Sequence, residues 1–356
     1  MIIYWRDGDL VFENFLTRRQ VTAQALTASL LDFFDRWKSV GDLCAAMPQY
    51  APSSLQRAIA QLVRHSLLLR KGRSLPAGHA ALAAWSKWNP AAGFFHMSTR
   101  NLRFADDDEE EFRSLVRLAK SKPIPLPIKR YSHAKKIPLP SVATDGEFAR
   151  VLLQRRTWRK FSTEPVPLRM LGSLLGLTFG IRHWVKLPKI GSVAVKTSPS
   201  GGSMHPIEAY VLARNVRGLD AGFYHYGAAD HRLELLQSGA TSRDITRLLA
   251  NQWWYASSAF VVFLTAVFER TRWKYDYARA YRAVLIEAGH LCQTFCLTAT
   301  SMGLAPFCTM AFADSKIEKV LGIDGISESA LYVAGAGMRP TSSGKMANIL
   351  SAGKIE

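Results

Sequence analysis

Residues 197–226, TSPSGGSMHPIEAYVLARNVRGLDAGFYHY, decide how this chain is read. The run Ser198-Pro199-Ser200-Gly201-Gly202-Ser203 is a turn of small residues, and Met204-His205-Pro206 carries it into the strand-like Ile207–Leu212. Such a turn lets the backbone approach a flat or anionic ligand closely. The same composition also makes ordinary loops, so the turn needs company before it indicates a site. Beyond it, Glu208–Asn215 alternates as a strand. Gly222–Tyr226 and Arg232–Leu236 read as two hairpin strands around Gly227–His231.

Upstream, Gly146–Arg156 reads as a helix ending in Arg155-Arg156-Thr157-Trp158-Arg159-Lys160-Phe161. Three guanidiniums and a hydroxyl within five positions suit a bidentate phosphate clamp. A charged helix end or a basic nucleic-acid patch has the same composition. Ser162-Thr163-Glu164-Pro165 then reads as the cap of a helix with Leu168, Leu171, Leu174 and Leu175 on one face.

Downstream, Ser258–Phe268 is an apolar, β-branched run that suits a buried strand, followed by a stretch rich in tyrosine and arginine that contains Lys274-Tyr275. A tyrosine is a poor base at neutral pH, but a nearby ammonium stabilises its phenolate. A Lys-Tyr dipeptide is also a common surface pair. A long helix is expected over Ala283–Gly303, with His290 either bonded in the core or part of a site. Asp314–Leu321 reads as a short helix and Ala330–Ala334 as the last core strand.

Together these segments resemble the FMN-dependent nitroreductase superfamily, and within it the SagB-type dehydrogenases that oxidise azoline rings in ribosomally made peptides. The resemblance rests on Arg-Arg-Thr-x-Arg-x-Phe at Arg155–Phe161, the small-residue turn, and the pattern from Gly222-Phe-Tyr-His-Tyr226 to His231-Arg-Leu-Glu-Leu-Leu236. It spans residues 145–339 well and residues 1–144 in architecture only. The implied fold is α+β: a nitroreductase-like FMN-binding domain with an N-terminal winged-helix-like domain, and a homodimer with two FMN sites. The FMN contacts it implies are Arg155, Arg156, Thr157, Arg159, Pro199, Ser200, Gly201, Gly202, Met310, Ala311 and Arg339. Lys274 and Tyr275 would be catalytic, Tyr275 removing a carbon-bound proton as a hydride leaves for the flavin. The segment around Met310 is poorer in glycine than the family pattern, and His205 stands where an aromatic is expected before the proline. The implied partners are a precursor peptide and a cyclodehydratase. Two rivals stay open: an NAD(P)H-dependent nitro- or quinone reductase, and a non-catalytic escort of peptide or DNA.

The rest of the chain sets the frame. At 356 residues it has room for about two domains of roughly 150 residues each. A hydrophobic share of 48% excludes a disordered chain. The formal charge of +18 points to an acidic partner: nucleic acid, an anionic membrane or an acidic peptide. The longest uncharged apolar stretch, Gln252–Phe268, falls short of the ~20 residues a membrane span needs. The start, MIIYWRDGDLVF, lacks a secretory pattern, so a cytoplasmic protein is expected. Cys44, Cys292, Cys296 and Cys308 form no metal-type C-x-x-C pair and read as reduced core thiols, Cys292 and Cys296 one helical turn apart.

Three domains are expected: 1–78, 79–141 and 142–356. In the first, a hairpin around Asp7-Gly8 precedes a helix carrying Leu26, Leu30, Phe33, Phe34 and Trp37 and a second helix after Ser53-Ser54, with a serine as N-cap. Leu67–Gly72 then reads as a strand entering a turn, which completes a winged-helix grammar. Residues 51–100 hold seven Lys and Arg and no Asp or Glu. Peptide or partner docking is preferred to DNA because the module is joined to what resembles an enzyme. In the bridging region, six acids at Asp106–Glu111 precede Arg113, Arg117, Lys120 and Lys122, the polarity of a solvated helix. Five prolines within residues 123–140 then predict an extended linker. The tail Pro340–Glu356 is expected to reach another subunit.

Overall fold

The structure, a computed structural model, describes residues 1–22, 24–74, 78–102, 108–122, 127, 129, 133 and 135–340. Part of the acidic run, much of the proline-rich linker and all of the tail beyond Pro340 therefore lie outside the described residues. Among the described residues no helix is long and apolar enough to cross a membrane.

The chain divides into two compact units: Met1–Arg100 with Phe268–Ala283 and Asp324–Glu328, and Asn101–Val267 with Val284–Ile323 and Ser329–Glu356. The second unit is built on a six-stranded sheet. Its order is Arg232–Ser238, Gly222–Gly227, Ile207–Ala213, Phe260–Val267, Glu328–Met338, Leu304–Thr309. Neighbours in the first three pairings, and in the last, run antiparallel. Phe260 to Leu264 are fully buried, each such side chain contributing about 1.5–3 kcal/mol. On one face of the sheet, Tyr255 stacks on Phe307 at 3.9 Å between centroids. The helices Leu168–Phe179, Ala280–Ser301 and Asp314–Leu321 complete the α+β architecture.

Local details depart from the sequence reading where tertiary partners decide. The helix expected after a Ser-Thr-Glu-Pro cap instead starts at Leu168, with Pro167 at its N-cap and no side-chain capping bond. Val166-Pro167 pairs in parallel with Val216-Arg217, which fixes that start. The long helix begins at Ala280 after a separate helix, Phe268–Lys274. A hairpin of His183–Leu187 and Gly191–Val195 has no counterpart in the sequence reading.

In the first unit, Ile2–Arg6, Asp9–Asn14 and Arg19–Thr22 form an antiparallel sheet. Its first turn has positive φ at both Asp7 (51°) and Gly8 (89°), as a tight two-residue hairpin requires. Three helices follow, Ala25–Phe33, Val40–Ala46 and Pro52–Arg64. The middle one is fixed by a capping box between Ser39 and Asp42. The expected serine cap of the third is also corrected: Ala51 holds the N-cap position, without a side-chain bond. Leu67–Gly72 forms no strand, so among the described residues the strand expected there to enter the wing is not formed. Leu67 and Leu68 pack instead against the cluster of Leu30, Leu43, Leu55 and Leu62, where burial outweighs pairing.

Residues 79–100, read from sequence as a bridge, carry an aromatic core within this unit. Trp85 and Trp88 cross at 5.5 Å, and both pack on Phe268 and Tyr281. The Trp85 indole donates to the Ile326 carbonyl (2.8 Å), and the Trp88 indole donates to the Tyr275 carbonyl (2.8 Å). These contacts explain why the unit gathers Phe268–Ala283 and Asp324–Glu328 from far along the sequence.

Candidate active site

Within the second unit, the small-residue bend is a short turn over Gly201–Ser203, entered from buried Ser198. Gly202 has φ +64°, which glycine adopts freely. Ser203 and His205 also have positive φ, at 57° and 44°, a conformation that costs non-glycine residues roughly 1–2 kcal/mol each. Side chains hold this backbone in place. The Ser198 hydroxyl bonds that of Thr294 at 2.8 Å, and Ser200 Oγ donates to the Glu287 carboxylate. Ser200 Oγ also accepts from the His205 N–H at 2.9 Å. His205 Nε2 donates to the Ala194 carbonyl at 3.0 Å, which assigns the proton to that nitrogen. Its Nδ1 faces Glu287 Oε1 at 3.8 Å. Glu287, only 4% exposed, is thus the post to which the bend is tied.

The arginine segment leaves the helix Glu147–Gln154 and runs past two strands of the sheet. The Trp158 N–H donates to the Pro306 carbonyl (3.0 Å), and the Ser162 N–H donates to the Met338 carbonyl (2.9 Å). Phe161 fills the space above Gly337, where an added Cβ would lie 2.9 Å from its ring. Trp158 carries a guanidinium on each count: Arg156 at 3.8 Å and Arg339 at 5.8 Å from its ring centroid. Arg339 also donates to the carbonyls of Leu304 (3.0 Å) and Thr300 (2.8 Å). Burial lowers the Arg339 pKa, and the neighbouring Arg156 charge adds to the shift. Among the described residues no carboxylate forms an ion pair with either arginine. Two like charges held together without a counter-charge are relieved by an anion, so the donor set fits a phosphate.

The two stretches meet on one element. Ser198 bonds Thr294 and Arg339 bonds the Thr300 carbonyl, both on the helix Ala280–Ser301. Six residues of helix separate those anchors by about 9 Å. The bend and the Arg156–Arg339 pair are therefore both tied to this one helix.

The remaining expected residues divide. The charge of Arg155 acts on Cys308 and Cys296. Hydrogen bonds from the Cys292 and Cys296 thiols hold the Cys308 thiol far below its ordinary range, and Arg155 adds to that shift. Thr157 and Arg159 are half-buried along the same segment. The Ala311 N–H donates to Thr309 Oγ1 (3.0 Å), and its carbonyl accepts from Gln252. That N–H is engaged within its own loop. Met310 beside it is 67% exposed. His290 lies exposed on the helix surface, which corrects the reading of it as a core hydrogen-bonding residue.

Lys274 and Tyr275 belong to the first unit, where the helix Phe268–Lys274 ends. The Lys274 ammonium lies 5.5 Å from the Tyr275 ring centroid. The Tyr275 backbone is pinned at both ends, its N–H donating to Thr271 (3.0 Å) and its carbonyl accepting from Trp88.

Glu287, Thr294, Ser198 and Trp158 are site residues that the sequence reading did not single out. A signal existed: Glu287 and Thr294 are seven residues apart, two helical turns along one face. A helix face with a carboxylate and a hydroxyl seven apart is an available tether for a serine-rich turn.

A family model of the nitroreductase family matches residues 152–338, more than half of the chain and the region that carries both stretches. The chain belongs to the nitroreductase family. Several relatives in or near this family are similar to it. MJ1384 of Methanocaldococcus jannaschii, named as a nitroreductase, is 31% identical over 173 residues, 49% of this chain and 83% of that protein. The trifolitoxin-processing protein TfxB of Rhizobium leguminosarum bv. trifolii is 34% identical over 140 residues, 38% of each chain. The microcin B17-processing protein McbC of Escherichia coli is 30% identical over 152 residues, 41% of this chain and 55% of McbC. The chain thus spans about half or less of these two processing proteins. Among solved structures, a chain of the E. coli microcin synthetase McbBCD complex, with truncated pro-MccB17 bound, has a TM-score of 0.51 at 22% identity. That match covers 76% of this chain and all of the other, and it supports the nitroreductase-like fold.

Proposed function

We propose that this nitroreductase-family chain is an FMN-dependent dehydrogenase that acts on a ribosomally made precursor peptide, oxidising an azoline to an azole or desaturating a residue. The observation that carries the reading is the pair of unneutralised guanidiniums, Arg156 and Arg339, gathered on one helix with a strained small-residue bend. The names of TfxB and McbC, processing proteins for trifolitoxin and microcin B17, supply the peptide.

Arg156 and Arg339 would hold the FMN phosphate, with Thr157 and Arg159 along the ribityl chain. Arg155, Pro199, Ser200, Gly201, Gly202, Met310 and Ala311 complete the proposed cofactor-binding set, the last three positions of the bend presenting backbone to the ring. When bound, FMN would supply the hydride acceptor and a route for the electrons to oxygen. Tyr275 is the proposed base, taking the substrate proton from carbon with Lys274 beside it. Azoline aromatisation removes one hydride and one proton, so the peptide loses two hydrogens.

The exposed Arg57 and Arg64 of the helix Pro52–Arg64, in a chain of net charge +18, suit an acidic leader segment. The N-terminal module is accordingly proposed to dock leader or partner enzyme, with a cyclodehydratase supplying the azoline. Trp184 (55% exposed) and its hairpin neighbours Val185, Leu187 and Ile190 leave apolar surface suited to a second copy.

The test is oxidation of an azoline peptide by the FMN-loaded protein, followed by mass. The expected result is a yellow protein that removes two hydrogens, and a Tyr275→Phe variant that stays yellow while turnover falls ~10²–10⁴-fold. Retained turnover in that variant removes Tyr275 from the chemistry. The reading that MJ1384's name favours is a nitro- or quinone reductase. Rapid bleaching of bound flavin by NAD(P)H, with turnover of small nitroaromatics, would select it. A protein that stays colourless after FMN is added would select the non-catalytic escort.

A further inference from the structure

Cys292 and Cys296 stand one turn apart on the helix Ala280–Ser301, and Cys308 lies on the strand Leu304–Thr309. Their three Sγ atoms all lie within 4.8 Å of one another. All three are free cysteines, and Cys292 and Cys296 are only 2% and 4% exposed. We propose that Cys292, Cys296 and Cys308 form a binding site for one soft divalent cation of the zinc class.

Three features carry this beyond a chance meeting of core thiols. The first is spacing: sulfurs bound at about 2.3 Å to a shared cation lie roughly 4 Å apart. The observed cluster needs a contraction of under ~1 Å to reach that. The second is ligand type. Three sulfurs select a soft metal over magnesium or calcium, which take oxygen ligands. The third is surroundings. Three thiolates around a divalent cation leave a single negative charge, and the positive charge of Arg155 already acts on Cys296 and Cys308. The Tyr332 hydroxyl donates to Cys308 Sγ at 3.7 Å, an outer hydrogen bond that orients this sulfur and favours its thiolate.

None of these sulfurs enters the proposed peptide oxidation, so the two readings stand or fall separately. The site is a tie between helix and strand: the same helix carries Glu287, Thr294 and Thr300, and the same strand carries Leu304.

The experiment is a titration of the reduced full-length protein with Cd²⁺, followed by the ultraviolet sulfur-to-cadmium charge-transfer band. The expected result is saturation at one equivalent per chain, retained in Cys44→Ser and lost in each of Cys292→Ser, Cys296→Ser and Cys308→Ser. A wild-type protein without the band, or a band surviving in all three variants, overturns the proposal. Because a core variant can fail to fold, alkylation of the wild type supplies a second readout. Cd²⁺ or Zn²⁺ should protect Cys292, Cys296 and Cys308 from a thiol reagent, relative to metal-free protein, while Cys44 reacts equally in both. Equal labelling of the three with and without metal overturns it as well.

Discussion

Each compact unit buries a polar cluster, and the two clusters are built to opposite ends. In the first unit His96 is 2% exposed and lies against Trp85, Phe268 and Tyr281. Its Nδ1 accepts from the Tyr281 hydroxyl (2.8 Å), and its Nε2 donates to the Gly325 carbonyl (3.0 Å). Both ring nitrogens are satisfied, and burial pushes the pKa down to about 4. In the second unit Glu287 is equally buried, but its partner Ser200 belongs to a bend with two non-glycine residues at positive φ. The first cluster closes on itself; the second holds a strained backbone in place. A saturated buried polar group is scaffolding, while one that restrains costly geometry marks a place where the chain meets something else.

The sharpest way to break this contrast is acid. The folded pKa of His96, about 4, lies below the ~6.5 of an unfolded histidine. The unfolded chain therefore takes up the proton first as pH falls. The stability that depends on neutral His96 is complete above pH ~6.5 and lost progressively toward pH 4, roughly 3 kcal/mol in all. Urea unfolding across that window should show the loss in the wild type and a flatter profile in His96→Phe. Identical profiles would mean that His96 is not the closed, neutral group described here.

A change at the other cluster should be read in ligand binding. Glu287→Ala leaves the Ser200 hydroxyl without its acceptor, a cost of about 2 kcal/mol. The expected result is FMN binding weakened ~30-fold, with Glu287→Gln, which keeps an acceptor, within a few-fold of wild type. FMN affinity unchanged in Glu287→Ala would remove the carboxylate from the site.

The smallest effect comes from another histidine that behaves in neither way. His225 bonds Glu208 (2.9 Å) and Glu234 (2.8 Å), and these partners, Glu208 foremost, raise its pKa to about 8. Its stabilising contribution is complete below pH ~6.5 and fades as pH rises through 8. In this half-exposed setting it is on the order of 1 kcal/mol or less. An NMR titration should find the imidazole pKa falling toward 6.5 in Glu208→Gln. A value that does not move would assign the shift elsewhere.

Much of the second unit was legible because its signals are local. The strand Ile207–Ala213, the paired strands Gly222–Gly227 and Arg232–Ser238, the apolar run Phe260–Val267 and the helix Asp314–Leu321 all announce themselves within a few residues. The tight turn at Asp7-Gly8 did so too. What stayed hidden depends on distant partners. Residues 79–100 resemble a linker until Trp85 and Trp88 meet Phe268 and Tyr281, almost two hundred residues later. Leu67 and Leu68 carry the composition of a strand, and only the leucine cluster they join shows why they form none. In the candidate site, the arginines and the bend were readable as types. Glu287 was visible as a letter, but its meaning required knowing which turn lies above it.

The helix Ala280–Ser301 works as a ruler. Its Glu287 and Thr294 grip one end of the site and its Thr300 the other. Because each residue advances about 1.5 Å and turns about 100°, a single insertion between Thr294 and Thr300 would swing one grip away from the other. Evolution can therefore exchange the exposed side chains along this rod, but it cannot change the count between its marks without dismantling the site.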